Sequence, residues 1–157
     1  MNPESDQRLA LDNQLCFAIY AANRAVTARY RPILSELGLT YPQYLVMLVL
    51  WEADGAVESV RVSEIGRRLR LDTGTLTPLL KRLQSNGLLD RRRDPADERV
   101  VTITLTARGR EMRQRALAIP GQLVCGTNLE PDRLLALREE LRSLLIALDD
   151  AAGSSVE

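Results

Sequence analysis

The chain of 157 residues is 45% hydrophobic and 27% charged, the balance of one globular domain. It has no histidine and two cysteines, which excludes His-based triads, His-ligated metals and a zinc site closed by Cys and His ligands. Its net charge of zero hides a segregation: Arg61 to Arg115 holds 14 basic and 7 acidic residues, and the rest holds 7 and 14. A basic middle between acidic flanks predicts a surface for a polyanion, against the plainer alternative of a solvated charged face. Lys81 is the one lysine, and every other cation is arginine, which suits bidentate phosphate and guanine contacts. The longest apolar run, Tyr44 to Trp51, is far short of the roughly 20 residues of a membrane helix. The polar opening Met1 to Asp6 lacks the pattern of a secretory signal, so a cytoplasmic protein is expected.

Leu9 to Tyr30 has helical periodicity, with Leu15, Ile19, Ala22 and Val26 on one stripe. Pro32 disfavours helix at Arg31 and is expected to end it there. A second helix starts near Tyr41-Pro42, is apolar nearly all round, and stops at Asp54-Gly55. Ser63 opens a short helix to Leu69, and Arg70-Leu71-Asp72 makes a turn. Thr73 to Asn86 follows as a helix, with Gly87 where a C′ glycine belongs. Two short helices across a tight turn predict a helix-turn-helix. Pro78 is awkward there: the helix either begins nearer Thr75 or kinks.

Leu88 to Asp90 and Val100 to Leu105 predict two strands, joined through the turn chemistry of Asp94-Pro95-Ala96-Asp97. A basic hairpin after a helix-turn-helix is a wing. Thr106 caps a helix from Ala107 to Ile119, which Pro120-Gly121 should stop. A last helix from Pro131 to Asp149 carries Leu134, Leu135, Leu137, Leu141, Leu144, Leu145 and Leu148, and the tail after Ala151 is expected to fray. The fold class is mainly α with a small β-hairpin wing, in one domain over 1–157. Its winged helix-turn-helix covers 61–105. Helices within 8–31 and 107–150 are expected to dimerise, because one winged unit cannot cover both apolar stripes; ordinary packing within the chain is the alternative.

A helix fits the major groove of DNA and reads base edges with its N-terminal residues. Here that end offers Thr73, Thr75 and Thr77, with Lys81 and Arg82 further on and Ser63 opening the preceding helix. Local capping is the competing role for the threonines. On the wing, Arg91, Arg92 and Arg93 should meet phosphates. Arg99, within reach of Asp97, suits a narrow minor groove. A surface ion pair of little consequence is the alternative for Asp97 and Arg99.

The stretches Val62-Ser63-Glu64-Ile65-Gly66, Gly74 to Leu83, Gly87-Leu88-Leu89 and Asp97-Glu98-Arg99 followed by Leu105-Thr106 resemble the MarR family of winged-helix repressors. The resemblance runs over about residues 9 to 149. It implies an obligate homodimer, double-stranded DNA with a pseudopalindromic operator as partner, and repression relieved by a signal.

Two cysteines in a cytosolic protein stay reduced unless they sense oxidants. Tyr20 lies one helical turn from Cys16, and Tyr30 returns to the same face. Tyr30 is about 21 Å further along the axis, so only Tyr30 of the partner subunit could reach Cys16, with the two helices antiparallel. Tyr41 could join it. A reactive cysteine is a thiolate, and phenol hydroxyls donating hydrogen bonds favour charged sulfur while leaving an apolar pocket. Leu15, Phe17 and Ile19 supply apolar surface suited to a greasy peroxide.

Leu15 to Tyr20, Tyr30-Arg31-Pro32 and Leu39 to Tyr44 resemble the organic-hydroperoxide-resistance repressors within that family. The resemblance implies that Cys16 is the peroxide-reactive cysteine and that tyrosines matching Tyr30 and Tyr41 hold its thiolate from the other subunit. Cys125 resembles the second cysteine of the two-cysteine branch, where the sulfenic acid condenses with the late cysteine of the partner. The expected function is therefore a DNA-binding repressor, not an enzyme, with an organic hydroperoxide as oxidant, no cofactor, no metal and no membrane partner. The alternatives are a repressor released by a small aromatic ligand with inert cysteines, a thiol peroxidase using Cys16 and Cys125, and an architectural DNA-binding protein without signal input.

Overall fold

The computed structural model describes residues 7–56, 59–125 and 127–153. By their contacts they fall into two compact units, residues 1–123 and 124–157. The first begins with a single 3-10 turn, Leu11–Asn13, and continues as α1 (Leu15–Ser35) and α2 (Tyr41–Ala53). After these come β1 (Val60–Arg61), α3 (Val62–Leu69), α4 (Thr73–Ser85), β2 (Leu89–Arg93), β3 (Val101–Leu105), α5 (Ala107–Ala116) and α6 (Ile119–Val124), whose last residue opens the second unit.

The expected first helix is broken near its start. Gln14 is extended, and its side-chain amide donates to the carbonyls of Arg8 (2.6 Å) and Ala10 (3.1 Å), while that of Asn13 donates to Gln7 (2.8 Å). These side chains satisfy carbonyls that a continuous helix would have used, so α1 starts afresh at Leu15. Pro32, expected to end the helix, lies inside it. The proline removes only the bond to the Ala28 carbonyl, and both residues are exposed. Continuing the helix buries Leu34 completely, which outweighs the local preference.

Helix α2 is the centre of the first unit. Thr40 and Gln43 form a capping box at its start, and Pro42 sits in the first turn, as the sequence predicts. Gln43, Tyr44, Val46, Met47, Val49, Leu50 and Trp51 are buried round the whole helix. They pack with Ile65 of α3, Leu76, Leu80 and Leu83 of α4, Ile103 of β3 and Met112 of α5 in one core. Truncating a fully buried leucine such as Leu80 to alanine costs about 2–5 kcal/mol in such a core.

The helix-turn-helix falls where expected, but Ser63 does not cap its first helix: α3 begins at Val62 with Arg61 at the N-cap and no side-chain capping bond. Helix α3 ends at Arg70, held in the left-handed region (φ 54°), and the Leu71 amide bonds back to Gly66 (2.9 Å). A Cβ on Gly66 would lie 2.9 Å from the Leu71 carbonyl oxygen, so the tight turn needs glycine there. Helix α4 runs unbroken from Thr73 through Pro78, and Gly87 (φ 70°) closes it with amide bonds from Leu88 to Leu83 and from Gly87 to Gln84.

The wing is larger than a hairpin. The strands form a three-stranded antiparallel sheet in the order β1-β3-β2. β1 was not expected; two residues are too short to show alternation. Arg91 to Arg93 belong to β2 rather than to the connecting turn. Thr106 caps α5 as expected, accepting from the Gly109 amide (3.0 Å), but that helix ends at Ala116. Pro120 and Gly121, expected to stop it, instead lie in the separate short helix α6, where a first-turn proline is tolerated.

In the second unit, α7 (Pro131–Gly153) extends four residues beyond the expected end. Glu139 pairs with Arg138 (2.9 Å) and Arg142 (3.7 Å) on its polar side. Of the tail expected to fray, Gly153 is the last described residue, and 154–157 lie outside the described residues.

Candidate functional site

Two clusters carry the sequence-predicted residues of the first unit. The first is the solvent side of α4. Leu76, Leu80 and Leu83 face the core, which leaves Lys81 and Arg82 exposed opposite them. Asp72 caps the helix: its carboxylate accepts from the Thr75 amide (2.8 Å) and the Thr75 hydroxyl (2.8 Å). Those bonds, the backbone one first, hold the Asp72 carboxyl below its ordinary range. The Thr75 hydroxyl hydrogen is thus committed to capping. Thr73 and Ser63 are exposed, and Thr77 is half-buried.

The wing tip is preorganised by two aspartates. The Ala96 amide donates to the Asp94 carboxylate (2.8 Å), and the Arg99 amide (3.1 Å) and Nε (3.2 Å) both donate to Asp97 Oδ1. Arg99 itself is 92% exposed, so it projects outward from a fixed base. Arg92 and Arg93 are exposed as well. Arg91 is only partly so, and its Nε is buried with no hydrogen-bond partner among the described residues.

The second cluster is aromatic. Tyr30 of α1 stacks against Tyr41 and Tyr44 of α2, with ring centroids 5.0 Å and 5.8 Å apart. Tyr44 meets Trp51 edge-on at 6.3 Å. Burial, and for Tyr30 and Tyr44 the neighbouring phenols, raise the pKa values of these three tyrosines above the ordinary phenol range. The phenols therefore stay protonated at neutral pH and keep their donor hydrogens. Tyr44 also lines an open groove of about 470 Å³ with Leu48, Trp51, Leu117 and Pro120. The sequence had singled out Tyr30 and Tyr41 but not Tyr44 as a site residue. Its spacing of three from Tyr41, on one helical face, was the available signal.

Cys16 is the second residue of α1 and is exposed. Tyr20, one turn on, is 55% exposed; its hydroxyl accepts from Arg24 Nη1 (3.1 Å), and the Arg24 guanidinium lies 5.6 Å from its ring. Within one chain, Cys16 stands about 21 Å along α1 from Tyr30, so the chain does not bring its own sulfur to its own aromatic cluster. The apolar stripe beside Cys16 is uncovered: Leu15 is 63% exposed, and Ile19, Ala22 and Val26 are exposed too. Arg29 Nε donates to the Leu123 carbonyl (2.6 Å), fastening α1 to α6. Cys125, in the second unit, follows α6 and is exposed, as are Leu137, Leu145 and Leu148 of α7. Among the described residues no group of three His, Cys, Asp or Glu side chains could hold a metal ion, and no helix is long and apolar enough to cross a membrane.

Comparison with known proteins agrees with this architecture. A family model described as transcriptional regulator SarA/Rot matches residues 28–116. The HTH-type transcriptional regulator TtmR of Methylorubrum extorquens is 47% identical over 150 residues, covering 96% of this chain and 75% of that protein. The organic hydroperoxide resistance transcriptional regulator of Bacillus subtilis is 43% identical over 140 residues, covering 89% and 92%. The structure of reduced AbfR bound to DNA matches with a TM-score of 0.73 at 35% identity, covering 92% of this chain and 98% of that one. Disulfide-formed AbfR matches with a TM-score of 0.65 at 35% identity, covering 94% and 97%. AbfR is a protein of Staphylococcus epidermidis.

Proposed function

The chain belongs to the SarA/Rot–MarR family of winged-helix transcriptional regulators, and on that premise we propose that it is a dimeric repressor released from its operator when an organic hydroperoxide oxidises Cys16. Its relatives are DNA-binding regulators, not enzymes, and the exposed cations of its α4 and wing support a groove-reading role. In this proposal α4 enters the major groove with Thr73, Thr77, Lys81 and Arg82. Arg99, steadied by Asp97, reaches the adjacent minor groove. The work takes place in the cytoplasm, where the DNA is.

The observation that carries the sensing proposal is the cluster of protonated phenols of Tyr30, Tyr41 and Tyr44, the last lining a mainly apolar groove that Glu52 and Arg113 also border, in a chain whose own Cys16 cannot reach it. Exposed apolar side chains on α1 and α7 are the surface a second copy covers. Antiparallel α1 helices across a two-fold axis bring Cys16 to Tyr30 of the partner subunit and Tyr41 of the partner subunit. The phenols then donate to the thiolate.

The Cys16 thiolate attacks the terminal oxygen of the hydroperoxide. A sulfur–oxygen bond forms, the oxygen–oxygen bond breaks, and the alkoxide leaves and takes a proton to become an alcohol. The thiolate of Cys125 of the partner subunit then attacks the sulfenic sulfur, forming a disulfide, and hydroxide leaves as water. Disulfide sulfurs lie about 2 Å apart, so closure moves the helices that fix the two reading heads, and half-sites about 10 base pairs apart no longer fit.

The test is one equivalent of tert-butyl hydroperoxide on reduced protein, followed by intact mass and a non-reducing gel. The expected result is a disulfide-linked dimer in wild type and oxidised monomer in Cys125→Ser. A linked dimer that persists in Cys125→Ser, or Cys16 left unmodified in wild type, overturns the proposal.

A further inference from the structure

The three-stranded sheet has two chemically different faces. Its register puts Val60, Ile103 and Arg91 in one cross-strand row and Arg61, Thr102 and Arg92 in the next. Successive strand residues point to opposite faces. Val60 and Ile103 are buried, so the first row faces the core and the second faces outward. Arg61 and Arg92 are exposed on that outer face with Thr102 between them. Strands stand about 4.8 Å apart, which sets the two arginine backbones about 10 Å from one another.

The neighbouring carboxylate on this face is Asp90, paired with Thr104 two rows along. Among the described residues no ion pair joins it, or any other acid, to either arginine. Two like charges across a single threonine repel, and an anion that bridges them relieves the repulsion. Arg61 is also the N-cap residue of α3, the helix that carries Ser63 in its first turn. The pair therefore stands where the sheet joins the helix-turn-helix. A guanidinium offers forked donors that match phosphate oxygens.

We propose that Arg61 and Arg92, on either side of Thr102, clamp the phosphate backbone of the bound duplex from the outer face of the sheet. This rests on the reading of the chain as a duplex-DNA binder and adds β1, an element the wing alone does not require. It also separates the wing arginines by role. Arg92 grips phosphate, whereas Arg91 lies in the core-facing row beside Ile103, with its Nε buried.

The experiment is a fluorescence-anisotropy titration of the full reduced chain, with two duplexes, between about 50 and about 200 mM salt. One duplex is enriched by the protein from a random pool, and the other is a scrambled sequence. Arg61→Ala and Arg92→Ala should each lower the slope of log affinity against log salt by about 2, one phosphate contact in each protomer of the dimer, and weaken both duplexes by the same factor. Arg61→Lys, which keeps the charge, should hold the wild-type slope. Arg142→Ala, on the polar side of α7 beside Glu139, should leave the slope unchanged. Thermal melts that match wild type exclude misfolding as the cause. Wild-type slope in Arg61→Ala, or weaker binding without a change of slope, overturns the clamp while wild-type binding upholds the DNA reading. Wild-type protein that binds neither duplex overturns the DNA reading itself.

Discussion

The indole N–H of Trp51 donates to the carbonyl of Gly109 at 2.8 Å, joining α2 to α5 across 58 residues of sequence. The bond is buried and lies at the start of the helix that leaves the wing. Trp51 also meets Tyr44, so the aromatic cluster and the wing base share one side chain. The Gly109 carbonyl also serves the helical ladder of α5, so removing the indole donor loses one buried hydrogen bond, about 0.5–1.5 kcal/mol, to which the space left by a smaller ring adds.

Trp51→Phe should therefore lower unfolding free energy by about 1–3 kcal/mol in a urea titration, with the m-value unchanged. Gly109→Ala should be worse. A Cβ there would lie 2.1 Å from the Leu88 carbonyl oxygen, which is backbone and cannot swing aside. A Gly109→Ala protein as stable as wild type would contradict this packing.

Much of the reading head was legible because local chemistry decides it. Gly87 closes α4 where a breaker was expected, and Asp94 to Asp97 turn the wing with their own side chains, whereas Asp72, read only as part of the turn, proves also to cap α4. The errors arose where distant contacts prevail. Pro32 signals a helix end, but the buried Leu34 two residues on keeps the chain helical. β1 is defined by its pairing with β3, some forty residues away, and nothing in Val60-Arg61 announces a strand. Tyr44 was hidden by the uniform apolarity of α2, which conceals which face meets Tyr30. The break before Leu15 depends on side-chain amides taking carbonyls, which periodicity does not register.

Asp72 gives the recognition helix an acid-side pH dependence. Its folded pKa lies below its ordinary value, so its stabilising contribution is complete above the unfolded pKa, near 3.9, and is lost as pH falls through the folded value. Asp72→Asn should flatten that part of the stability profile and weaken duplex binding at neutral pH, since Thr75 loses the charged acceptor of its amide and hydroxyl. Thermal melts from pH 2 to 6 follow the first effect. An unaltered acid limb in the variant would assign it to other carboxylates.

The clustered phenols act on the alkaline side. Tyr30, Tyr41 and Tyr44 have raised pKa values, so the folded chain holds its protons longer than the unfolded chain as pH rises past about 10. Their contribution to stability is full below that value and is lost as pH climbs through the folded pKa values. Tyrosinate absorbance of the folded protein should show Tyr30, Tyr41 and Tyr44 ionising above the ordinary phenol range. Tyr41→Phe should remove one of these late ionisations. It should also slow Cys16 oxidation by about tenfold, on the scale of one lost hydrogen bond to a charged group. Oxidation at the wild-type rate would remove Tyr41 from the sensing role.

The central claim is tested most directly by anisotropy of a duplex enriched with the reduced protein, before and after one equivalent of organic hydroperoxide per chain. The account predicts that wild type releases the duplex, that a thiol reductant restores binding, and that Cys16→Ser binds normally and holds on through the same dose. Release from Cys16→Ser at that dose, or wild type still bound after its Cys16 is oxidised, would contradict it.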